Sequence, residues 1–553
     1  MTVNQNISLD SDPVLLEIFW NRLSSLVTEQ AVNIIRTSFS PLVREAGDIA
    51  TALFDRKGRM LAHGQTGTPG HLIPMTRTVL EFLAEFPIDT LKPGDVFITN
   101  DPWKTTGHFF DITVASPIFD GGTLIGFAAS TAHHADIGGT GFGASANDVF
   151  EEGLFIPVCK MYDAGVRNDT LFRLIRANVR EPDAVVGDLD AQNAANEAAG
   201  RAMRELIHEY AIHDLDAVVE EIFLRSERAA RQALREVPNG SYTSVLNLDG
   251  YDEPIKVVLT LHIRDEEIEA DFTGTSPQIR KGINVCENYT FGYVAFALRC
   301  AIGREIPHNF GSLSTFKLNA APGLIVSCTF PAPVAARHLV GQMIPGLVLQ
   351  TLAQAWPDKV MADGAGSVWG VTLNGQTREG RPYAAVALIA GGIGARSAKD
   401  GLSTMQYPTG TRCVPVEVLE LEAPFIYYGK ELLTDSGGAG RFRGGLGQRV
   451  TLEVVPEGSS CVVNLVCDKT RIGPQGLFDG LPGQIGRTLG RDGVPVHPKQ
   501  RFVVEDSQYL VLETPGGGGY GDPRQRDRAA VRRDLALGYI SEQAAREIYG
   551  LVD

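Results

Sequence analysis

Cysteine is scarce in this chain and never closely paired. Seven occur in 553 residues: Cys159, Cys286, Cys300, Cys328, Cys413, Cys461 and Cys467. No two are spaced as CxxC, which argues against a disulfide framework and reads as buried thiols in a reducing cytoplasm. Positive charge is also in deficit. Fifty Lys and Arg against 66 Asp and Glu leave a formal charge of −16, so nucleic acid and anionic membrane surfaces would be repelled overall. No uninterrupted apolar run approaches the length of a membrane span. The greasiest helix candidate, Met343 to Trp356, is broken by Gln350 and Gln354. The stretch Met1 to Asp12 has no apolar h-region, so no secretory signal is expected. A GxxxxGK[ST] phosphate loop and a GxSxG nucleophile elbow are both missing.

What is present is ordinary globular material, with 44% hydrophobic and 21% charged residues. The length exceeds what one apolar core supports. The pattern predicts an α+β, multidomain protein with mixed and antiparallel sheets and long packed helices. Four regions are expected: an N-terminal α+β region over 1–175, a helical segment over 176–240, a β-rich region over 241–512, and a glycine-rich loop with a helical tail over 513–553. Asp12 and Pro13 signal a helix start, and Leu16, Phe19, Leu23, Leu26 and Ile34 carry helical spacing to about Ser38. Strands are expected at Ile49 to Asp55, Arg59 to Leu61, Phe97 to Asn100, Ile112 to Phe119 and Thr123 to Ala132. The last two form a hairpin around Asp120-Gly121-Gly122. A helix is expected from Met75 to Phe86, and Asp183 and Asp214 are candidate helix caps.

The densest set of potential metal ligands lies between Asn100 and Asp136. It includes Asp101, His108, Asp111, His133, His134 and Asp136. Paired positions across a two-residue hairpin have a constant sum. A loop at Asp120-Gly121 pairs His108 with His133, and a loop at Gly121-Gly122 pairs Phe110 with His133. Either register gathers His108, Asp111 and His133 at one end of the hairpin, where opposed side chains stand about 5 Å apart. Two imidazoles and a carboxylate suit Zn, Mn or Fe and leave coordination positions open. The alternative is a hydrogen-bonded His–Asp core network. Two glycine-rich stretches, Asp435 to Gly447 and Thr514 to Asp522, look superficially like phosphate cradles. They lack the strand–loop–helix setting, so positive φ or close backbone approach is the expected reason for the glycines. Arg441 and Arg443 could still meet an anion. His71 reads as a structural loop histidine.

Several motifs together resemble the hydantoinase B/oxoprolinase family across nearly the whole chain. They are Arg44–Asp48, Asn100–Pro102, Gly107–Asp111, His133–Gly139, Asp435–Gly445 and Thr514–Asp522. That resemblance implies metal ligands Asp48, His108, Asp111 and His133, with Glu45 near enough to compete with Asp48. His134 replaces His133 if the register slips by one. Asp136 and Asp101 are the candidates for moving protons or orienting a ligand histidine. The resemblance also implies a partner, an actin-like ATPase of the hydantoinase A type that binds ATP in an α2β2-type heteromer. The implied activity is ATP-dependent ring-opening of a cyclic amide such as hydantoin, 5-oxoproline or a lactam. The partner would first phosphorylate the substrate. The alternative is a subunit of an acetone/acetophenone-type ketone carboxylase.

Overall fold

The computed structural model describes residues 12–456 and 460–551. Met1 to Ser11, on which the leader expectation falls, lies outside the described residues. Asp12 opens helix α1 (Pro13–Thr37) by accepting from the Val14 and Leu15 N–H groups, with Pro13 at the first position. One face of α1 buries Leu16, Phe19, Leu23, Val27 and Ile34. The one-turn helix α2 (Pro41–Arg44) follows. Strands β1 (Ile49–Asp55) and β2 (Met60–His63) flank a tight turn, and helix α3 (Pro69–Glu85) comes next. This helix begins six residues before the expected Met75. Thr68 and Pro69 start it, and Pro74 lies inside it, where its ring removes the amide that would have bonded the Gly70 carbonyl.

Strands β3 (Val96–Thr99), β4 (Asp111–Asp120), β5 (Thr123–His133), β6 (Cys159–Asp163) and β7 (Val166–Arg167) complete a seven-stranded sheet of order β2-β1-β5-β4-β3-β6-β7. The β4–β5 hairpin turns at Gly121-Gly122, both with positive φ. Its register differs from both expected ones. A bulge between Ile118 and Phe119 shifts the pairing by one, so His133 faces Asp111 rather than His108 or Phe110. His108 lies in the loop before β4, not on a strand.

Helices α4 (Asp169–Asn178), α5 (Pro182–Glu209) and α6 (Leu215–Leu234) follow. Asp214 caps α6 through the Ala217 N–H, whereas Asp183 lies inside the first turn of α5. One face of the sheet carries α1 and α5, and α5 is pinned there by polar contacts. Gln192 donates to the Ile112 and Ser130 carbonyls, and Asn196 donates to that of Val114. The other face carries α3.

A second, four-stranded sheet has the order β11-β10-β9-β8. It comprises β8 (Gly240–Leu248), β9 (Ile255–Arg264), β10 (Glu267–Asp271) and β11 (Phe316–Asn319), with only β10 and β11 parallel. Between β10 and β11 run α7 (Glu287–Ala301), which packs on α3, and the short α8 (Phe310–Leu313). Beyond them are α9 (His338–Gly341) and α10 (Ile344–Leu352). Two further antiparallel sheets share one apolar core, with Val371, Leu373 and Leu465 from one sheet against Val450, Leu452 and Leu510 from the other. No helix among the described residues is long and apolar enough to cross a membrane.

The glycine-rich stretches meet each other in this second half. Of the glycines at 516–521, only Gly521 has positive φ. A Cβ added at Gly516, Gly517, Gly518 or Gly519 would collide with the backbone carbonyl of Ser436, Ile393, Gln475 or Ala439 respectively. The 515–521 segment therefore threads among other chain segments and hydrogen-bonds to them backbone to backbone. Gly517 donates to the Gly445 carbonyl at 2.8 Å and Gly518 to that of Asp363 at 2.7 Å, while Gly438 donates to the Gly517 carbonyl at 2.7 Å. The amides of Asp435, Ser436, Gly438 and Arg441 to Gly447 are committed to protein partners rather than to a phosphate. Arg443 is committed likewise, to the Gly444 carbonyl and to Asp534.

Candidate metal centre

Asp111 is the centre of the site. It is the first residue of β4, fully buried, and points from the sheet toward α3. His133, the last residue of β5, stands opposite, with Nδ1 3.1 Å from Asp111 Oδ1. His108 reaches the same oxygen from the preceding loop, with Nε2 at 2.8 Å. His71 enters from the first turn of α3, with Nε2 3.0 Å from Asp111 Oδ2 and Nδ1 3.7 Å from Asp48 Oδ1. Asp48, just before β1, lies 3.8 Å from His133 Nδ1 and accepts from the Thr68 hydroxyl at 2.7 Å.

The protonation of His108 decides what this cluster can hold. Its Nδ1 is 2.9 Å from the Ala335 carbonyl, which can only accept, so Nδ1 carries the proton. Burial and the Arg337 guanidinium push the ring down to about 3, against the pull of Asp111, so it is neutral. Nε2 is then a bare lone pair. It faces a carboxylate oxygen at 2.8 Å and makes no hydrogen bond. Burial works against ionisation of Asp111, yet the His71 and Arg337 charges hold its carboxyl well below the usual range. Two electron-pair donors facing each other in a buried site call for a cation between them. The donor atoms of His108, Asp111 and His133 lie within 4.8 Å of one another, as do those of Asp48, His71 and His133. A divalent cation therefore fits the residues present.

Asp48, His71, His108 and His133 border a cavity of about 40 Å³, enough for an ion and a few waters. Its far wall comes from distant segments, including Tyr289 of α7, Arg337, His338 and the hydroxyls of Thr409 and Thr411. Arg337 donates to Asp111 Oδ2 at 2.5 Å and to the Thr106 carbonyl at 2.6 Å, and it lies 4.1 Å over the Tyr289 ring. His338 stacks on Phe142, and its Nδ1 is buried without a partner. Burial, then Arg337, drives its ring well below the ordinary histidine range.

A family model described as hydantoinase B/oxoprolinase matches residues 12–523. The chain belongs to that family. It is 30% identical over 568 residues to the B component of a D-/L-hydantoinase of Pseudomonas sp. (strain NS671), covering 98% of this chain and 95% of the relative. It is 29% identical over 571 residues to the beta chain of the caprolactamase of Pseudomonas jessenii, covering 98% and 96%. The 5-oxoprolinase 1 of Arabidopsis thaliana is 30% identical over 545 residues, but this chain spans only 42% of that longer protein. The crystal structure of the ATP-dependent caprolactamase from Pseudomonas jessenii superposes with a TM-score of 0.89 at 26% identity, covering 98% of this chain and 96% of that one. A nucleotide-free acetone carboxylase structure shares the fold, with a TM-score of 0.86 at 19% identity over 98% of this chain and 80% of that one.

Within this hydantoinase B/oxoprolinase chain, Asp48, His108, Asp111 and His133 come together, and other candidates lie elsewhere. Glu45 pairs with Arg44 at 3.0 Å, outside the cavity. His134 turns to the opposite face of the sheet from His133, as strand alternation requires, and burial holds it down to about 4. Asp136 does not reach the cavity. Its carboxylate pairs with the Arg180 guanidinium at 2.7 Å and accepts from the backbone of Gly138 and Arg180, which ties the loop after β5 to the start of α5. Asp101 caps a turn by accepting from the Trp103 N–H at 3.0 Å and does not border the cavity either. Sequence reasoning missed His71, Arg337 and His338. The Thr68-Pro69 helix start could have flagged His71 as held on a helix. Nothing local marks Arg337, which is 226 residues from its partner Asp111.

Proposed function

We propose that this chain is the metal-bearing subunit of an ATP-dependent cyclic-amide hydrolase. The bare Nε2 of His108 against Asp111 Oδ1, with Asp48, His71 and His133 around them, carries the reading. Asp48, His108, Asp111 and His133 would hold the ion, with His71 able to join them. Zn or Mn suits this donor set, and Fe is also compatible. Bound there, a divalent cation supplies Lewis acidity toward a substrate oxygen.

The chain's own residues do the rest. Arg337 keeps Asp111 ionised and oriented and adds positive charge beside the substrate space. His338 is held neutral and is partnerless at Nδ1, so it can hydrogen-bond a substrate there. Asp136 and Asp101 would serve as scaffold, because their carboxylates are bound to backbone and Arg180.

Relatives named for hydantoin, caprolactam and 5-oxoproline support a cyclic-amide substrate, and names that mark two of them as one component of a larger enzyme support a partner. We take that partner to be an actin-like ATPase of the hydantoinase A type. It would bind ATP, phosphorylate the substrate and form an α2β2-type complex. All seven cysteines are free thiols, which suits a cytoplasmic complex. The deciding experiment measures ATP turnover by the purified complex. Hydantoin, 5-oxoproline or caprolactam should stimulate it without bicarbonate. Stimulation only by acetone or acetophenone with bicarbonate would assign a carboxylase instead.

A further inference from the structure

A second cavity, of about 780 Å³, lies beyond the C-terminal end of α7 and shares no lining residue with the metal centre. Arg304, Lys359, Arg396 and Lys399 line it, against two acids, Glu305 and Asp358. In a chain of net charge −16 this is a local reversal of sign. Arg304 pairs with Glu305 at 2.9 Å, but both side chains are more than 80% exposed, so the pair is screened and weak. Lys359 rests 5.5 Å over the Trp356 ring. Among the described residues, no acidic side chain pairs with Lys359, Arg396 or Lys399. The Nε of Arg396 is buried with no hydrogen-bond partner, and so is the hydroxyl of Tyr407 on the same cavity.

The loop that presents these groups is closed on itself. Arg396 N–H donates to the Lys399 carbonyl at 2.9 Å, Lys399 N–H donates back at 3.4 Å, and the Ser397 hydroxyl donates to the Asp358 carbonyl at 3.1 Å. The backbone that carries the two cations is thus held in place. An unpartnered buried donor costs free energy that an anionic ligand would recover.

We propose that this cavity binds a small phosphate-bearing anion. A guanidinium fork with lysines around it suits a dianionic oxyanion, and more cations are gathered than a single carboxylate needs. The volume falls in the range of small-molecule sites. The proposed function bears only on the source of the ligand, since ATP turnover yields phosphate, ADP and a phosphorylated substrate.

The test is calorimetric titration of the full chain, without partner or substrate, with inorganic phosphate and separately with ADP. Both arms are repeated for Arg396→Ala and for the exposed Lys399→Glu. Each variant should weaken phosphate binding by about tenfold or more, while metal content and melting temperature stay unchanged. Raised salt should weaken binding to the wild-type chain. Binding of ADP above that of phosphate makes a nucleotide the source, and equal binding makes it the phosphoryl group alone. Failure of both probes on the wild-type chain, or unchanged affinity in both folded variants, overturns the proposal. Neither result depends on whether the complex opens cyclic amides.

Discussion

Glu152 supports the metal centre without touching it. Its side chain is fully buried, and one carboxyl oxygen accepts from the Val334 and Ala335 N–H groups at 2.7 and 2.8 Å. That grip sets the Ala335 carbonyl, which fixes the His108 tautomer, and it sets Arg337 two residues on. Burial pushes the Glu152 carboxyl well above the usual range, so it is neutral and a glutamine can replace it. Glu152→Gln should keep wild-type metal affinity. Glu152→Ala should weaken it by about 10- to 100-fold in a chelator competition, as expected for a group that orients a ligand from behind. Equal affinity in both variants would separate this carboxyl from the site. His108→Ala and Asp111→Asn should each strip the ion from the purified chain in elemental analysis. Retained metal in both would leave the cluster as a core network. The local part of this site was legible from sequence, because a hairpin end gathers His108, Asp111 and His133 by short-range geometry. Asp48 was reachable only through family resemblance. His71 was misread as a loop residue because its helix starts at Pro69, and Arg337 arrives from a separate segment with no local mark.

Among elements, the β4–β5 hairpin shows how register decides chemistry. Its strands, turn residues and face alternation were all legible. The bulge between Ile118 and Phe119 was not, because a bulge depends on the twist that neighbouring strands impose. That single extra residue sets Asp111 against His133. Helix α5 offers a pH test. Asp188 on α5 accepts from the Phe39 and Ser40 N–H groups and so ties down the turn after α1. Burial raises its carboxyl to about 6, against those backbone donors. A raised carboxyl adds stability that is full below its unfolded value of about 3.9 and is lost as pH rises through about 6. Urea unfolding should therefore show the wild type gaining on Asp188→Asn between pH 8 and pH 5, by roughly 1–2 kcal/mol. A pH-independent difference would contradict this. In the glycine array, Gly517→Ala should destabilise by several kcal/mol or abolish soluble expression, because the new Cβ meets the Ile393 carbonyl. A variant that melts with the wild type would show that the segments can part.

At the scale of the whole molecule, the mixed α+β architecture and its long helices followed from periodicity and cap residues. What the sequence could not reveal was which distant segments lie together. The metal centre draws on the approach to β1, on α3, β4, β5, α7 and the 334–338 segment, and the glycine array draws on Asp363, Ile393, Gln475 and the 435–447 and 515–521 stretches. Backbone-to-backbone contacts of that kind leave no hydrophobic signature, only glycine where nothing larger fits. Adding the proposed ATPase partner should raise the melting temperature of this chain as partner concentration rises, as mass action requires for a partner that binds only the folded state. A melting point indifferent to any candidate ATPase would rule that protein out as a constitutive partner.

The threading of Gly516 to Gly519 through the second half has a consequence for how the protein is made. Synthesis proceeds from the N-terminus, so this segment emerges after the carbonyls and amides it must satisfy at Asp363, Ala395, Gly438 and Gly445. The first sheet and its ligands can assemble on the ribosome. The second half must wait, with its inner backbone open to water and to chaperones, until the glycine stretch slides into place.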